Sequence, residues 1–426
     1  MSKLVKNKLS NVAQVQLCNV DKKTIKDEIP IQLCNYMDVY RNSYIDKYNS
    51  QHFMYATCTE SEYEKFVLKS GQVAITKDSE KANDIGIPTY IDDNIDNVVL
   101  GYHLSLITPN KDKLDGKFLR YWLETRQAKK YFENNAMGSG QRLFLTLNSI
   151  KDTPLFLPKL NVQKSISNTL FNLDKKIELN NKINKELEAM AKTLYDYWFV
   201  QFDFPDENGK PYKSSGGKMV YNEELKREIP EGWEAANLKN NPLTKILKPK
   251  IDNFEGNKIY LATADIQDKN INFNAEVINY NNRPSRANMQ PITNSIWFAK
   301  MKNSKKNLCC ADYSQEFLDN FILSTGFMGL KCKIEALEYL WGFVDNDYFE
   351  TVKDKLANGA TQEAINNDDL IFIKLLIPSD NVLKKYHLQM KSIYQKIYNN
   401  KIQNQELSTL RDWLLPMLMN GQVKVK

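Results

Sequence analysis

Two stretches of the chain share one rhythm of apolar and polar positions. Leu170, Leu173, Ile177, Asn180, Asn184, Leu187, Ala191, Leu194 and Trp198 recur at spacings of three and four. Met390, Ile393, Ile397, Asn400, Asn404, Leu407, Arg411, Leu414 and Leu418 repeat that spacing. Each set is the seam of a long helix, and two matching seams in one chain can pair as a coiled coil. Asparagines sit near the middle of both seams. Polar seam residues lower stability but fix register, and only an antiparallel pairing brings middle to middle. The competing reading turns the asparagines to solvent and puts Ile183 and Ile402 inside. Elsewhere the pattern is that of strands: "GQVAIT" (71–76), "SIWFAK" (295–300) and "LIFIKLLIP" (370–378) are β-branched or aromatic runs bounded by Asn, Ser, Gly and Pro. The second long helix should stop soon after Pro416, at Asn420-Gly421.

The chain also repeats itself. In "AMGSGQRLFLTLNSIKDTPLFLP" (136–158) and "ANGATQEAINNDDLIFIKLLIP" (357–378), Ala136, Gly138 and Gln141 fall on Ala357, Gly359 and Gln362. Upstream, "FLRYWL" (118–123) falls on "YLWGFV" (339–344), and downstream Leu173, Ile177 and Asn180 fall on Ile393, Ile397 and Asn400. An ordered series of this length marks two copies of one unit. The fold class is α+β: two mixed α/β heads separated by two long helices in an antiparallel coiled coil, with an internal pseudo-two-fold repeat. The expected bounds are a first head over 1–160, a spacer helix over 161–200, a linker over 201–232, a second head over 233–380 and a final helix over 381–426. The linker assignment rests on Pro, Gly, Ser and charge, with turn signals at Asn208-Gly209 and Gly216-Gly217. A helix of about 39 residues is roughly 58 Å long, so the expected arrangement is a ruler with a head at each end.

Composition narrows the function classes. The 426 residues carry a formal charge of +6. The excess is concentrated at the end: residues 381–426 hold 8 Lys+Arg against 2 Asp+Glu. A basic balance favours a polyanion such as nucleic acid. No apolar run is long enough to span a membrane and no secretory signal opens the chain, so a cytoplasmic, non-membrane protein is expected. The six cysteines show no C-x-x-C spacing and read as reduced thiols.

No catalytic motif stands out. Gly138-Ser139-Gly140 lacks the third glycine of a dinucleotide loop, and no Walker lysine follows a glycine-rich turn. The three histidines, His52, His103 and His387, are scattered and read as structural or surface residues. Asp206, Glu224 and Lys226 spell the loose pattern of Mg²⁺-dependent nucleases, but in a linker and a polar helical turn, without a sheet to gather them. The candidates for reading DNA lie around the repeated glycines. Gly138, Ser139, Gln141 and Arg142 in the first copy, and Gly359, Thr361 and Gln362 in the second, offer close backbone approach and base-reading groups. Lys77 and Ser79, and Lys302, Lys305 and Lys306 in "KMKNSKKN" (300–307), follow strands in corresponding places. The bland alternatives are solvated lysines and glutamines that shape their own loops. The aromatic cluster "YDYWF" (195–199) and Trp413 are either core or a docking surface.

The order of head, long helix, "YDYWFVQFDFPDENGKPYKSSGGKMV", "IPEGWE", second head and "LSTLRDWLLPMLMNGQV" resembles the specificity (S) subunit of bacterial type I restriction–modification systems. The resemblance covers essentially the whole chain, although nothing like "IPEGW" opens the first head. It implies that each head is a target recognition domain reading one half of a split double-stranded DNA sequence. It implies that the helices dock two methyltransferase (M) subunits and that restriction (R) subunits join the assembly. It further implies no catalytic centre and no cofactor in this chain, with S-adenosylmethionine, Mg²⁺ and ATP held by the partners.

Overall fold

The computed structural model describes residues 5–139, 142–273, 275–359 and 363–423, with only the backbone at Ser139. The chain forms two compact units, Met1–Asn180 with Gln403–Lys426, and Asn181–Ile402. The division falls inside both long helices, Leu160–Tyr195 and Asp380–Met419.

The head of the first unit is built on two sheets. One has the strand order Ala13–Leu17, Leu104–Pro109, Val73–Thr76, Pro88–Ile91, Tyr44–Ile45; the other runs Met54–Cys58, Ile29–Cys34, Ile95–Leu100, Val67–Leu68. The strand within "GQVAIT" is buried on both faces, which is why it is an unbroken apolar run and not an alternating one. Ala74 joins the core between the sheets with Leu33, Val99 and Leu106. Val73 and Ile75 face a second core with Phe118, Leu119 and Trp122 of the helix Gly116–Leu123.

The head of the second unit repeats that plan. Thr244–Leu247, Phe327–Cys332, Ser295–Ala299 and Asn307–Cys310 form one sheet, and Val277–Ile278, Lys258–Leu261, Phe321–Ser324 and Ala287–Met289 the other. Ile296 and Phe298 enter one core while Trp297 and Ala299 enter another. Each head has one parallel pair at the centre of its second sheet: Ile29–Cys34 with Ile95–Leu100, and Lys258–Leu261 with Phe321–Ser324. Each is closed by a two-stranded ribbon, Val5–Lys8 with Pro154–Leu157 and Glu234–Asn237 with Lys374–Ile377. The repeat therefore extends through both heads, well beyond the residues that align by sequence. The first head opens at Val5–Lys8 without an "IPEGW" counterpart.

Two local expectations need correction. "LIFIKLLIP" is not one strand: Asp369–Phe372 is a 3-10 turn and only Lys374–Ile377 is extended. Asn366 and Asp369 explain this. The Asn366 side chain accepts the Asp368 and Asp369 amides, and Asp369 Oδ2 accepts the Asn366 amide at 2.7 Å, so the chain coils before it extends. The segment 201–232, linker-like in composition, is packed structure. It contains the hairpin Met219–Asn222 with Arg227–Pro230. Phe202 and Phe204 are buried against Trp233, with ring centroids 5.7 and 5.0 Å from it. Aromatic residues set among the glycines and prolines supply the apolar area that a true linker lacks.

Within each unit the two long helices run antiparallel. In the first, Asp174 contacts Arg411 and Asn180 contacts Asn404. In the second, Trp198 lies 5.2 Å from Tyr386 and Asn184 bonds Asn400. The seam residues lie inward: Asn180, Asn184, Asn400 and Ile397 are buried, and Leu173, Ile177, Leu187, Leu194, Ile393, Asn404, Leu407 and Leu414 half-buried. Asn180 Nδ2 donates to Gln403 Oε1 at 2.7 Å and to Asn404 Oδ1 at 2.9 Å. Asn400 Nδ2 donates to Asn184 Oδ1 at 2.8 Å. Ile183 and Ile402 are also half-buried, beside the asparagines and not in their place. Of the aromatic cluster, Tyr195, Trp198 and Phe199 are core residues of the second unit, whereas Trp413 is 55% exposed. Pro416 sits in the last turn of its helix, and Gly421, at φ 70°, ends it.

All six cysteines are free, and burial pushes the thiols of Cys18 and Cys310 up to about 12. Among the described residues no helix is long and apolar enough to cross a membrane.

The Asn184–Asn400 pair makes a measurable prediction. Asn400→Leu leaves the buried Asn184 carbonyl without its donor and should cost about 1–3 kcal/mol. The double variant Asn184→Leu/Asn400→Leu should recover that loss, because polar seam residues fix register at the expense of stability. Urea denaturation of the four members of the cycle gives the coupling. Additive losses would show that the two amides do not act as a pair.

Candidate nucleic-acid interface

In the first head the repeated glycine belongs to a β-hairpin. Met137–Ser139 pairs antiparallel with Arg142–Phe144, and Arg142–Phe144 pairs in turn with Asp78–Ser79. Lys77, Ser79, Gly138 and Arg142, chosen from separate parts of the sequence, thus share one small three-stranded element. Leu145 N–H donates to the Lys77 carbonyl at 2.7 Å, and Lys77 N–H donates to the His103 carbonyl at 3.0 Å. Gly138 has φ +121°, and a Cβ there would lie 2.4 Å from the Arg142 carbonyl oxygen. The glycine is required by the close crossing of the two strands. Gln141 lies outside the described residues, as does the side chain of Ser139.

Basic groups gather here around one carboxylate. The Arg142 side chain is 58% exposed, with Nη2 at 3.6 Å from Asp78 Oδ2 and 2.8 Å from His103 Nδ1. His103 Nδ1 also meets Asp78 Oδ2. One ring nitrogen cannot donate to the carboxylate and accept from the guanidinium at once, so Asp78 is the acceptor for which both compete. Lys77 Nζ lies 3.8 Å from the same carboxylate and 4.9 Å from the centre of the Tyr102 ring. Two permanent cations share one carboxylate, which leaves a positive surplus beside the exposed side chains of Tyr102, Met137 and Phe144. Such a surface can grip phosphate through the cations and stack or wedge against bases through the rings. Asp78, Tyr102 and His103 were not legible as members of this site. They come from a strand end and a turn that carry no motif.

The second head has the same backbone construction. Asn358 and Ala364 exchange hydrogen bonds of 3.3 and 3.1 Å, and Met301 bridges to Ala364. Ile365 N–H donates to the Lys300 carbonyl at 3.0 Å, and Lys300 N–H donates to the Gly326 carbonyl at 3.0 Å. Those bonds put Lys300 in the place of Lys77. Gly359 has φ +139°, again the conformation that favours glycine. Thr361 and Gln362 lie outside the described residues. The three lysines singled out in this head hold its turns together. Lys302 pairs with Glu363 at 3.0 Å, Lys305 Nζ donates to the Asp345 carbonyl at 2.7 Å, and Lys306 Nζ donates to the Thr263 carbonyl. The group that sequence reasoning missed is Arg286. Burial pushes the Lys300 ammonium down from its ordinary range, and the Arg286 cation adds to that push. The two cations therefore feel each other's field, and both lie beside the Gly326 turn, to whose carbonyl Lys300 N–H donates.

The nuclease-like residues sit in a different setting. Asp206 Oδ1 accepts the amides of Asn208 and Lys210, each at 2.8 Å, and so closes a turn. Glu224 and Lys226 lie in the turn that joins Met219–Asn222 to Arg227–Pro230, a hairpin turn and not the helical turn expected. Glu224 pairs with Lys374 at 3.0 Å and Lys226 with Glu223 at 2.9 Å. Among the described residues no cluster of three or more His, Cys, Asp or Glu could hold a metal ion.

Comparison with known proteins gives a consistent set of relatives. Residues 2–189 match the family described as type I restriction modification DNA specificity domain. The chain is 25% identical over 335 residues to the type I restriction enzyme MjaIX specificity subunit of Methanocaldococcus jannaschii, covering 74% of this chain and 71% of that one. It is 23% identical over 408 residues to the type I restriction enzyme HindI specificity subunit of Haemophilus influenzae, covering 84% and 88%. Its fold resembles the crystal structure of a type I restriction–modification S subunit from M. genitalium, with a TM-score of 0.55, 15% identity and coverage of 98% and 96%.

Gly138→Ala tests the hairpin. The added Cβ should force the strands apart and speed amide exchange at residues 142–144 by about tenfold or more, while the core strands keep their protection. Unchanged exchange at those amides would show that the crossing tolerates a side chain.

Proposed function

We propose that this chain, whose residues 2–189 match the type I restriction modification DNA specificity domain, is a specificity subunit that reads an asymmetric, two-part double-stranded DNA sequence. The observation that carries this reading is the internal repeat. One topology occurs twice, each copy with a glycine-centred β-element and a lysine held by the same backbone bonds, Lys77 and Lys300. The side chains around those elements differ: Arg142, His103 and Tyr102 in one, Lys302 and Arg286 in the other. Equivalent scaffolds with unlike tips suit two half-sites of unlike sequence.

In this reading the chain contributes recognition and no catalysis. Methyl transfer from S-adenosylmethionine, and cleavage with Mg²⁺ and ATP, belong to methyltransferase and restriction subunits that it carries. The long helices supply surface for such partners. Leu179 and Leu410 in the first unit, and Met190 and Leu388 in the second, are apolar residues between 42% and 77% exposed. Exposed apolar side chains on a helix face are the usual material of a protein interface.

Single-molecule methylome sequencing with and without the gene tests the reading. Deletion should erase one asymmetric two-part methylated motif, and an unchanged methylome would contradict the proposal. Exchanging residues 1–160 for another head should alter one half-site only; a change in both would exclude modular reading. Purified chain with Mg²⁺ alone should leave duplex DNA intact. Cleavage that disappears in Asp206→Asn would place catalysis in the chain itself.

A further inference from the structure

The second unit contains a half-open cavity of about 140 Å³ between its portions of the two long helices and its head. Aromatic side chains form much of the wall, among them Tyr195, Tyr313, Trp341, Tyr394 and Tyr398. Charged groups line it in equal number, Glu188, Asp196 and Asp345 against Lys192, Lys269 and Lys401. They answer one another: Lys269 pairs with Asp345 at 2.7 Å and lies 5.9 Å from the Trp341 ring centre, and Lys401 lies 3.8 Å from Glu188. The two lysines set into the wall, Lys269 and Lys401, are thus already matched by carboxylates, while Lys192 is exposed to solvent and Asp196 half-buried, so the buried part of the wall holds no free cation for an anionic guest. Three polar atoms of the wall residues lack a well-formed hydrogen bond in the protein: Asn307 Oδ1 on a residue 1% exposed, Asp345 Oδ1, which Lys305 Nζ approaches only to 3.7 Å, and the Tyr398 hydroxyl, which has only the Phe317 backbone near it. Buried polar atoms are almost always satisfied, so two acceptors and one hydroxyl on residues that line a cavity call for a guest with a donor and an acceptor.

The internal repeat shows that this cavity is a particular place in the fold. The alignment of 118–123 on 339–344 sets Arg120, Tyr121 and Glu124 on Trp341, Gly342 and Asp345. The helix offset sets Asp174 on Tyr394, and Arg411 on Ala191. In the first unit those five residues form a solid polar core. Asp174 accepts from Arg120 at 2.8 Å, from Tyr121 at 2.5 Å and from Arg411 at 2.8 Å, and Arg120 reaches Glu124 at 2.9 Å. All five counterparts in the second unit line the cavity. Gly342 and Ala191 withdraw a phenol and a guanidinium. The Tyr195 ring leans over Gly342, where a Cβ would lie 2.4 Å from it, and takes up part of the difference. What the second unit lacks is a planar, hydrogen-bonding group of the size of the Arg411 head.

We propose that this cavity is a binding site for a neutral, planar single-ring compound carrying an N–H or O–H donor and an acceptor. The volume agrees with that size, since an engineered protein cavity of about 150 Å³ accepts benzene. Aromatic walls supply stacking partners, Asn307 Oδ1 accepts from the guest and Tyr398 donates to it. The site is independent of how the heads read their targets.

Thermal shift and crystal soaking of the full chain with phenol, benzamide and benzene test the proposal. Phenol and benzamide should raise the melting temperature saturably and appear in density beside Asn307. Tyr398→Phe should weaken benzamide by roughly three- to tenfold, the effect of one hydrogen bond, and leave benzene unchanged. Ala191→Phe should fill the space and abolish every shift, at an unchanged or higher starting temperature. No shift with any probe at millimolar concentration overturns the proposal, as does a shift that persists in Ala191→Phe. Should that variant fail to fold, equal weakening of benzene and benzamide in Tyr398→Phe would also overturn it.

Discussion

The carboxylate of Asp174 is the contact on which the first unit depends. It is 3% exposed on its long helix, and it accepts from Arg120 and Tyr121 of the head and from Arg411 of the other long helix. Taking one carboxylate and a guanidinium out of water is costly, and the cost is recovered only when every partner is in place. A network of this kind rewards one docking of head and helices over near alternatives. The second unit meets the same task with rings. Tyr195 at the end of the first long helix and Phe199 in the π-helical turn that follows it pack on Tyr339 of the head, and Tyr386 of the second helix meets Phe199 at 4.8 Å. One scaffold thus has a polar lock in one copy and an aromatic one in the other, and the aromatic version leaves the cavity beside it.

The helices themselves were the most legible part of the sequence. A spacing of three and four sustained over nine residues has one simple structural solution, and the asparagines announced their own pairing because an amide in a seam seeks another amide. The locks were not legible. Arg120, Asp174 and Arg411 look like three ordinary charged residues separated by up to 291 positions, and only the folded chain brings them together. The misread of residues 370–378 has the opposite cause. Ile371 and Phe372 carry strand-forming side chains, yet Asn366 and Asp369 capture the backbone first, leaving Phe372 64% exposed. Local side-chain to backbone bonds outrank propensity over four residues.

For the candidate interface, the part written in the backbone was readable and the part written in side-chain proximity was not. Gly138 and Gly359 recur because a strand crossing and a positive φ demand them, and a demand of that kind leaves a mark in both copies. Lys77 and Lys300 occupy one position for the same reason, since their own amides and carbonyls tie the element to its head. Asp78 gathering Arg142 and His103, or Arg286 standing near Lys300, follows from where strand ends meet in space. No spacing rule encodes it.

That division also explains how one fold can hold two different readings. The bonds that the two β-elements share are main-chain bonds, from Leu145 to Lys77 and from Ile365 to Lys300, beside a glycine that lacks a side chain. None of them constrains what residues 142 or 102 present to a ligand. Side chains at those positions can be exchanged at little cost to the core, because surface substitutions away from caps and buried networks are nearly neutral. A recognition surface is free to change only where its framework does not depend on it. Here the framework depends on glycines, backbone amides and two buried locks, and the tips of the two heads have diverged while their scaffold has not.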